Sequence, residues 1–326
     1  MVLVTDSDAS IRDSVPAGPG DPLFSIVIPT FNRVDLLQQA LDSVFSQRFV
    51  SYEVVIVDDG STDSTPAFLR TLEPSVTVLT QSNNGPGAAR NLGAGKARGA
   101  YLALLDSDDI WFPWTLDTYA RILRESGNPV MLAGRPRRFD GVARGGLPEQ
   151  TKAQWIRFDD YLSSGDHWRW YGVSSFVISR SRFLQAGGFA PEFRVGEDAD
   201  LALRLGVESG FVQVIAPATF GYREHKDNMS GEPRACFDAA AKLVRAESVG
   251  AYPGGASRCR ERRRIIARHV RPAAIAAARE GMIGGGFALY ATTFVWQLAA
   301  GAWRFVLGYP LLAAFCALAP ARRAAT

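Results

Sequence analysis

Apolar residues along this chain gather early into four short blocks, each cut off by polar turn formers. Phe24-Ser-Ile-Val-Ile28 stops at Pro29-Thr30, and Tyr52-Glu-Val-Val-Ile-Val57 stops at Asp58-Asp59-Gly60-Ser61. Val76-Thr-Val-Leu79 runs into Gln81-Ser-Asn-Asn-Gly85, and Tyr101-Leu-Ala-Leu-Leu105 ends in Asp106-Ser-Asp-Asp109. Such runs predict strands buried on both faces. Between them the spacing changes. Leu36, Leu37, Ala40, Leu41, Val44 and Phe45 recur at helical intervals, with Asn32 as the expected cap. Thr62 or Asp63 is expected to cap a short helix, and residues 88–97 continue the alternation. Strand–helix repeats of roughly 25 residues require parallel pairing, because a parallel neighbour is reached only by a long crossover.

The second half of the chain is patterned differently. After Val130-Met-Leu-Ala133, residues 135–171 lack periodicity and carry Gly, Arg and several aromatics, which predicts a long irregular loop of functional importance. Val173-Ser-Ser-Phe-Val-Ile178 and Phe211-Val-Gln-Val-Ile215 predict strands, and the segment from Glu197 predicts a helix with Leu201 and Leu205 on one face. From about Glu232 the spacing is helical. The pattern as a whole predicts an α/β fold, a doubly wound and mostly parallel sheet with a C-terminal helical extension. The expected boundaries are a disordered tail over 1–22, a catalytic domain over 23–230 and a helical region over 231–326.

Composition narrows the class without naming it. With 47% apolar and 21% charged residues, wholesale disorder is excluded, and a net charge of +3 gives no reason to expect nucleic acid. Cys236, Cys259 and Cys316 have neither metal-ligand nor disulfide-framework spacing, which suits a reducing compartment. Residues 1–22 lack the basic start and apolar core of a signal peptide, so catalysis is expected on the cytoplasmic side.

Charge placement is more informative. Parallel strands point the same way, so Thr30, Asp58 and Asp59, Asn83 and Asn84, and Asp106 and Asp108 all fall on the carboxyl rim of the sheet, where open α/β sheets bind ligands. Three carboxylates within Asp106-Ser-Asp-Asp109 repel one another and call for a positive partner; Mg²⁺ or Mn²⁺ suits their oxygens. A dinucleotide is not expected, since Gly85-Pro-Gly87-Ala-Ala-Arg90 lacks the third glycine and does not follow the first strand. A nucleoside diphosphate carrying the transferred group fits better. Glu197, Asp198 and Asp200 at a helix start are favoured by the macrodipole alone, and a carboxylate delivered there to a sugar site also serves as a general base. Arg223, His225 and Lys226 form a basic group able to face a diphosphate, with His225 able to complete a metal shell.

These motifs resemble family 2 glycosyltransferases of the GT-A fold over about residues 24–230. The resemblance rests on Ser25-Ile-Val-Ile-Pro-Thr-Phe-Asn-Arg33, Val55-Ile-Val-Asp-Asp-Gly-Ser-Thr-Asp63, Asn84-Gly-Pro-Gly-Ala-Ala-Arg-Asn91, Leu105-Asp-Ser-Asp-Asp109, Gly187-Gly-Phe189 and Glu197-Asp198. It implies donor contacts from Pro29, Thr30, Asn32, Asp58, Asp59, Asn84, Arg90 and Asp106. Asp108 and Asp106 are implied for the metal, His225, already read as able to complete the metal shell, for holding the donor diphosphate, and Asp198 for the catalytic base. The implied reaction moves a sugar, with inversion, from a nucleotide-sugar donor to a saccharide or lipid-linked acceptor. A sugar nucleotidyltransferase is disfavoured because Pro29-Thr-Phe-Asn-Arg33 lacks glycine, and intact Asp108 and Asp198 disfavour a non-catalytic binder.

The C-terminal third adds one expectation. Residues 257–271 carry seven arginines against one glutamate, and residues 281–303 and 305–320 carry no formal charge. Arginine flanks with Trp296, Trp303 and Tyr309 predict helices lying in the interface of an anionic leaflet, so that the protein sits at the inner face of the cell membrane. A spanning hairpin and a soluble helical subdomain or dimer face are the alternatives.

Overall fold

The computed structural model describes residues 2–5, 20–72, 74, 76–140, 151–165, 172–225 and 231–318. They form two compact units. The first takes residues 1–164, 168–192 and 208–225, and the second takes 165–167, 193–207 and 226–326.

The first unit is built on the four apolar blocks. They become strands β2 (Phe24–Thr30), β3 (Tyr52–Asp58), β4 (Val76–Thr80) and β5 (Tyr101–Leu104). They lie side by side in the order β5-β2-β3-β4, all parallel. Helices α1 (Val34–Phe45), α2 (Thr65–Leu69) and α3 (Pro86–Lys96) connect them. Both sheet faces are covered, as continuous apolar strands require. Ile26, Ile28, Val54 and Ile56 share one core with Leu37, Ala40, Leu41 and Val44 of α1. Val55 and Val57, pointing the other way, share another with Ala89 and Leu92 of α3. Gly93 permits that approach: a Cβ there would stand 2.6 Å from Val27 Cγ1.

Further elements follow in the chain: β6 (Ile110–Trp111), α4 (Thr115–Glu125), β7 (Met131–Ala133), β8 (Pro136–Asp140), β9 (Gln154–Phe158), α5 (Tyr161–Ser164), β10 (Phe176–Ser179), α6 (Arg180–Gln185), β11 (Phe211–Ala216) and β12 (Phe220–Glu224). The main sheet extends to nine strands, with β1 (Val2–Thr5) at one edge, in the order β1-β9-β11-β7-β10-β5-β2-β3-β4. In it β10 is inserted antiparallel between β7 and β5. A small second sheet, β6-β12-β8, is also present.

Four local expectations are corrected. Strand β1 (Val2–Thr5) pairs antiparallel with β9, so the first residues are not wholly a disordered tail; residues 6–19 lie outside the described ones. The stretch 135–171 is not one irregular loop, since β8, β9 and α5 fall inside it; residues 141–150 and 166–171 lie outside the described ones. Val173–Ser175 are a 3₁₀ turn, and only Phe176–Ser179 are strand. Asn32 does not cap α1. Its φ of 50° turns the chain so that Oδ1 accepts from the Thr62 and Asp63 amides at 2.7 and 3.3 Å, tying the first rim loop to the second.

The second unit is helical: α7 (Glu197–Arg204), α8 (Pro233–Ser248), α9 (Cys259–Arg279), α10 (Ile283–Ala299) and α11 (Trp303–Leu318). The arginine run starts α9 and is only partly solvated. Arg262 is buried, with Nε donating to Glu247 Oε2 at 2.6 Å and Nη1 to the Pro253 and Gly255 carbonyls. Among the described residues no helix is long and apolar enough to cross a membrane.

Candidate active site

The register brings the rim together. Thr30 stands opposite Asp58, and Asp58 opposite Thr80, so the first three rim loops leave the sheet at one level. Asp58 and Asp59 are both buried, and each does local work there. Asp58 Oδ1 accepts from the Ser61 amide at 3.0 Å. Asp59 Oδ1 accepts from Gln81 Nε2 and the Asn84 amide at 2.7 and 2.9 Å, while Oδ2 accepts from the Gly85 amide at 2.8 Å. Asp59 therefore fixes the loop that starts α3. Thr30 Oγ1 is buried and makes no hydrogen bond among the described residues.

At the end of β5, oxygens of Asp106, Asp108 and Asp109 all lie within 4.8 Å of one another. The positive partner that these charges call for is present as side chains. Arg90, from α3 and 3% exposed, meets Asp106 Oδ1 through Nη2 at 2.5 Å. Arg33 Nη1 and His225 Nε2 both meet Asp108 Oδ2, at 2.5 and 3.1 Å. Asp109, only 2% exposed, accepts from the Arg223 amide at 3.0 Å. Arg223 also reaches the Asp108 carbonyl through Nε at 2.8 Å and lies over the Phe139 ring at 4.7 Å. Burial, and then the charges of Asp108 and Asp106, push the Asp109 carboxyl well above the usual range. Added positive charge relieves that repulsion, and a hard divalent cation fits a pocket of carboxylate oxygens.

Arg90 is held from its other side by Phe189, whose ring centroid lies 5.4 Å from its guanidinium carbon. Asn91 anchors that ring by donating Nδ2 to the Phe189 carbonyl and accepting the Phe189 amide on Oδ1, both at 2.8 Å. Gly188 is required beneath it. Its φ is +70°, and a Cβ would stand 2.3 Å from Asn91 Oδ1. Asn91→Ala leaves two backbone groups unpaired and is expected to cost about 1–3 kcal/mol in urea unfolding. A loss under about 0.5 kcal/mol would mean water replaces both bonds.

Arg33, Asp109 and Asn91 do positioning work that the motifs alone do not reveal. Only Asp109 carried a local signal, as the third member of a repelling triplet. Asp198, the expected base, lies in the second unit, in the first turn of α7 with Glu197 and Asp200. Of those acids Asp200 is committed internally, since Tyr252 OH and Arg204 Nε donate to it at 3.0 and 2.7 Å.

Residues 25–197, more than half of the chain, match the family model of Glycosyl transferase family 2. The chain belongs to that family. This glycosyltransferase is 35% identical over 196 residues to the succinoglycan biosynthesis protein ExoO of Rhizobium meliloti, over 56% of this chain and 55% of that one. It is 26% identical over 202 residues to an uncharacterized glycosyltransferase of Haemophilus influenzae, over 61% and 67% of the two chains. It spans about half of ExoO, and 16% and 18% of two Rickettsia glycosyltransferases. Among solved structures, S. aureus TarS 1-349 in complex with UDP superposes with a TM-score of 0.58 at 16% identity, over 86% of this chain and 91% of that one. The mannosyltransferase PcManGT of Pyrobaculum calidifontis, in complex with GDP-Man and Mn²⁺, gives 0.50 at 19% identity, over 94% and 90%. At these identities the two structures establish the GT-A-like fold.

Proposed function

We propose that this glycosyltransferase is inverting and metal-dependent, and that it moves a sugar from a nucleoside-diphosphate donor to a hydroxyl acceptor in polysaccharide, glycolipid or cell-envelope glycan synthesis. The observation carrying this reading is the triplet of Asp106, Asp108 and Asp109 converging at the end of β5, on the same carboxyl rim of the parallel strands as Asp58 and Asp59. Support for the donor class comes from relatives of the same fold that bind UDP, UDP-GlcNAc or GDP-Man, and for the pathway class from a relative of succinoglycan biosynthesis.

Each rim residue has a matching task. Pro29, Thr30, Asn32, Asp58, Asp59 and Asn84 shape the nucleoside end, where carboxylates accept from base NH groups and ribose hydroxyls. Asp108 would hold Mg²⁺ or Mn²⁺, and Asp106 would hold the cation or accept from the ribose. A cation there supplies neutralisation of the charge that develops on the departing diphosphate. Arg90, held against Asp106, adds fixed positive charge on the same side, and His225, against Asp108, offers a ring nitrogen to the cation or the diphosphate. Asp198 takes the proton of the acceptor hydroxyl as that oxygen attacks the anomeric carbon. A single displacement inverts the centre.

The donor is found by thermal denaturation with UDP-glucose, UDP-GlcNAc and GDP-mannose, each with and without Mn²⁺. One nucleotide class is expected to raise the melting temperature only with Mn²⁺, by the equivalent of about 2.7 kcal/mol when ligand reaches a hundred times Kd. No shift with any donor in the presence of Mn²⁺ would overturn the reading.

A further inference from the structure

Within the second unit, α11 uses only one of its sides for packing. Phe305, Tyr309 and Ala313 are buried in a core shared with Ala274 and Ala278 of α9 and Tyr290 of α10, and Val306 is buried as well. Tyr290 stacks on Tyr309 at 5.1 Å and donates its hydroxyl to the Val306 carbonyl at 2.8 Å, so the hairpin's inner side is specified. The outer side is apolar as well. Trp303, Leu307, Leu311 and Phe315 follow at four-residue spacing and are 59%, 70%, 74% and 71% exposed, with Leu318 at 85%. From Trp303 to Leu318 that stripe runs about 22 Å at the helical rise. On α10, Val295 is 69% exposed. Contiguous apolar surface on this scale marks an interaction site.

Charge distinguishes the occupant. Between residues 281 and 318 there is no Asp, Glu or Lys, and Arg304 is the sole charge. An isologous dimer through this face would bury both copies of Arg304 with no carboxylate on the face to receive either. Anionic headgroups meet both requirements, since acyl chains accept the stripe and phosphates accept the arginine. The neighbouring arginines agree. Arg263 lies over the Trp296 ring of α10 at 5.2 Å, and Arg260 and Arg264 are exposed one turn apart on α9. With no described helix able to cross a membrane, the face meets lipid from one side.

We propose that the outer face of the α10–α11 hairpin, centred on Leu307, Leu311 and Phe315, is a docking surface for an anionic lipid bilayer. The helices lie in the plane of the interface, with Arg304 at the headgroups. This is independent of the donor and of the catalytic assignment.

The test is co-sedimentation of the full chain with phosphatidylcholine vesicles and with vesicles half phosphatidylglycerol. The wild type is expected to bind the anionic vesicles and to be released by high salt. The variant L307E/L311E/F315E is expected to lose binding about tenfold or more. Its melting temperature should be unchanged, because the replaced side chains are exposed. Arg304→Ala, which leaves the stripe intact, should weaken anionic binding about fivefold and leave neutral vesicles unaffected. Absence of wild-type binding overturns the proposal, as does a triple variant that still binds. So does light scattering that shows a wild-type dimer and a monomeric triple variant without vesicle binding, which would assign the face to a second copy.

Discussion

Asp198→Asn should keep nucleotide-sugar affinity and slow transfer by about 10²–10⁴-fold, the usual worth of general acid–base catalysis. A sugar hydroxyl is a weak nucleophile, so its attack needs a base that removes the proton as the new bond forms. The substitution keeps the side chain's size while removing its negative charge and with it the capacity to take a proton. Three acids start α7, and the macrodipole favours all of them, so position alone does not select one. Asp200 is engaged by Tyr252 and Arg204, and Asp198 is proposed as the base because it matches the Glu197-Asp198 pair of the family motif. Asp200→Asn is therefore expected to act on stability, through the Tyr252 bond, and Asp198→Asn on turnover. Donor binding by calorimetry and turnover by product release separate the two. Near-normal turnover of Asp198→Asn would remove that residue from the role of base.

The chain's four apolar blocks made the parallel half of the sheet legible, because a buried strand is a local property of composition. The shared rim was legible to the same extent, since parallel strands bring their carboxyl ends to one side whatever else the chain does. Partners across long separations were not. Asp109 and Arg223 are 114 positions apart, and nothing in either neighbourhood specifies the amide that satisfies the buried carboxylate. Asn32 is a favourable cap by residue type, yet its side chain ties two loops together. A cap and a loop tie look identical until the second loop is in place. Strand β8 escaped notice because Pro136-Arg-Arg-Phe-Asp140 has no apolar alternation, and pairing with β12 supplies the order that its composition lacks. Arg262 sits within a run of arginines, and its pair with Glu247, 15 positions away, takes it out of water.

Asp108→Ala should lower turnover by about 10²–10³-fold, the usual cost of losing one fixed electrostatic contact to charge that develops in the transition state. In wild type, EDTA should abolish turnover and Mn²⁺ or Mg²⁺ restore it; in the variant the cation should restore little. Stability gives the contrast. Three carboxylates crowd together, and removing one relieves the repulsion that helps push Asp109 upward. Arg33, which loses its partner, is a third exposed and remains hydrated. The melting temperature of Asp108→Ala without metal should therefore stay close to that of wild type, while the extra stability that wild type gains from Mn²⁺ and donor together should vanish. If Asp108 serves only to hold Arg33, Arg33→Ala would reproduce the whole loss and the Mn²⁺-dependent stabilisation would survive in Asp108→Ala. Turnover by the wild type that is indifferent to EDTA would exclude the metal altogether and leave Arg33, Arg90 and Arg223 as the charges that face the leaving diphosphate.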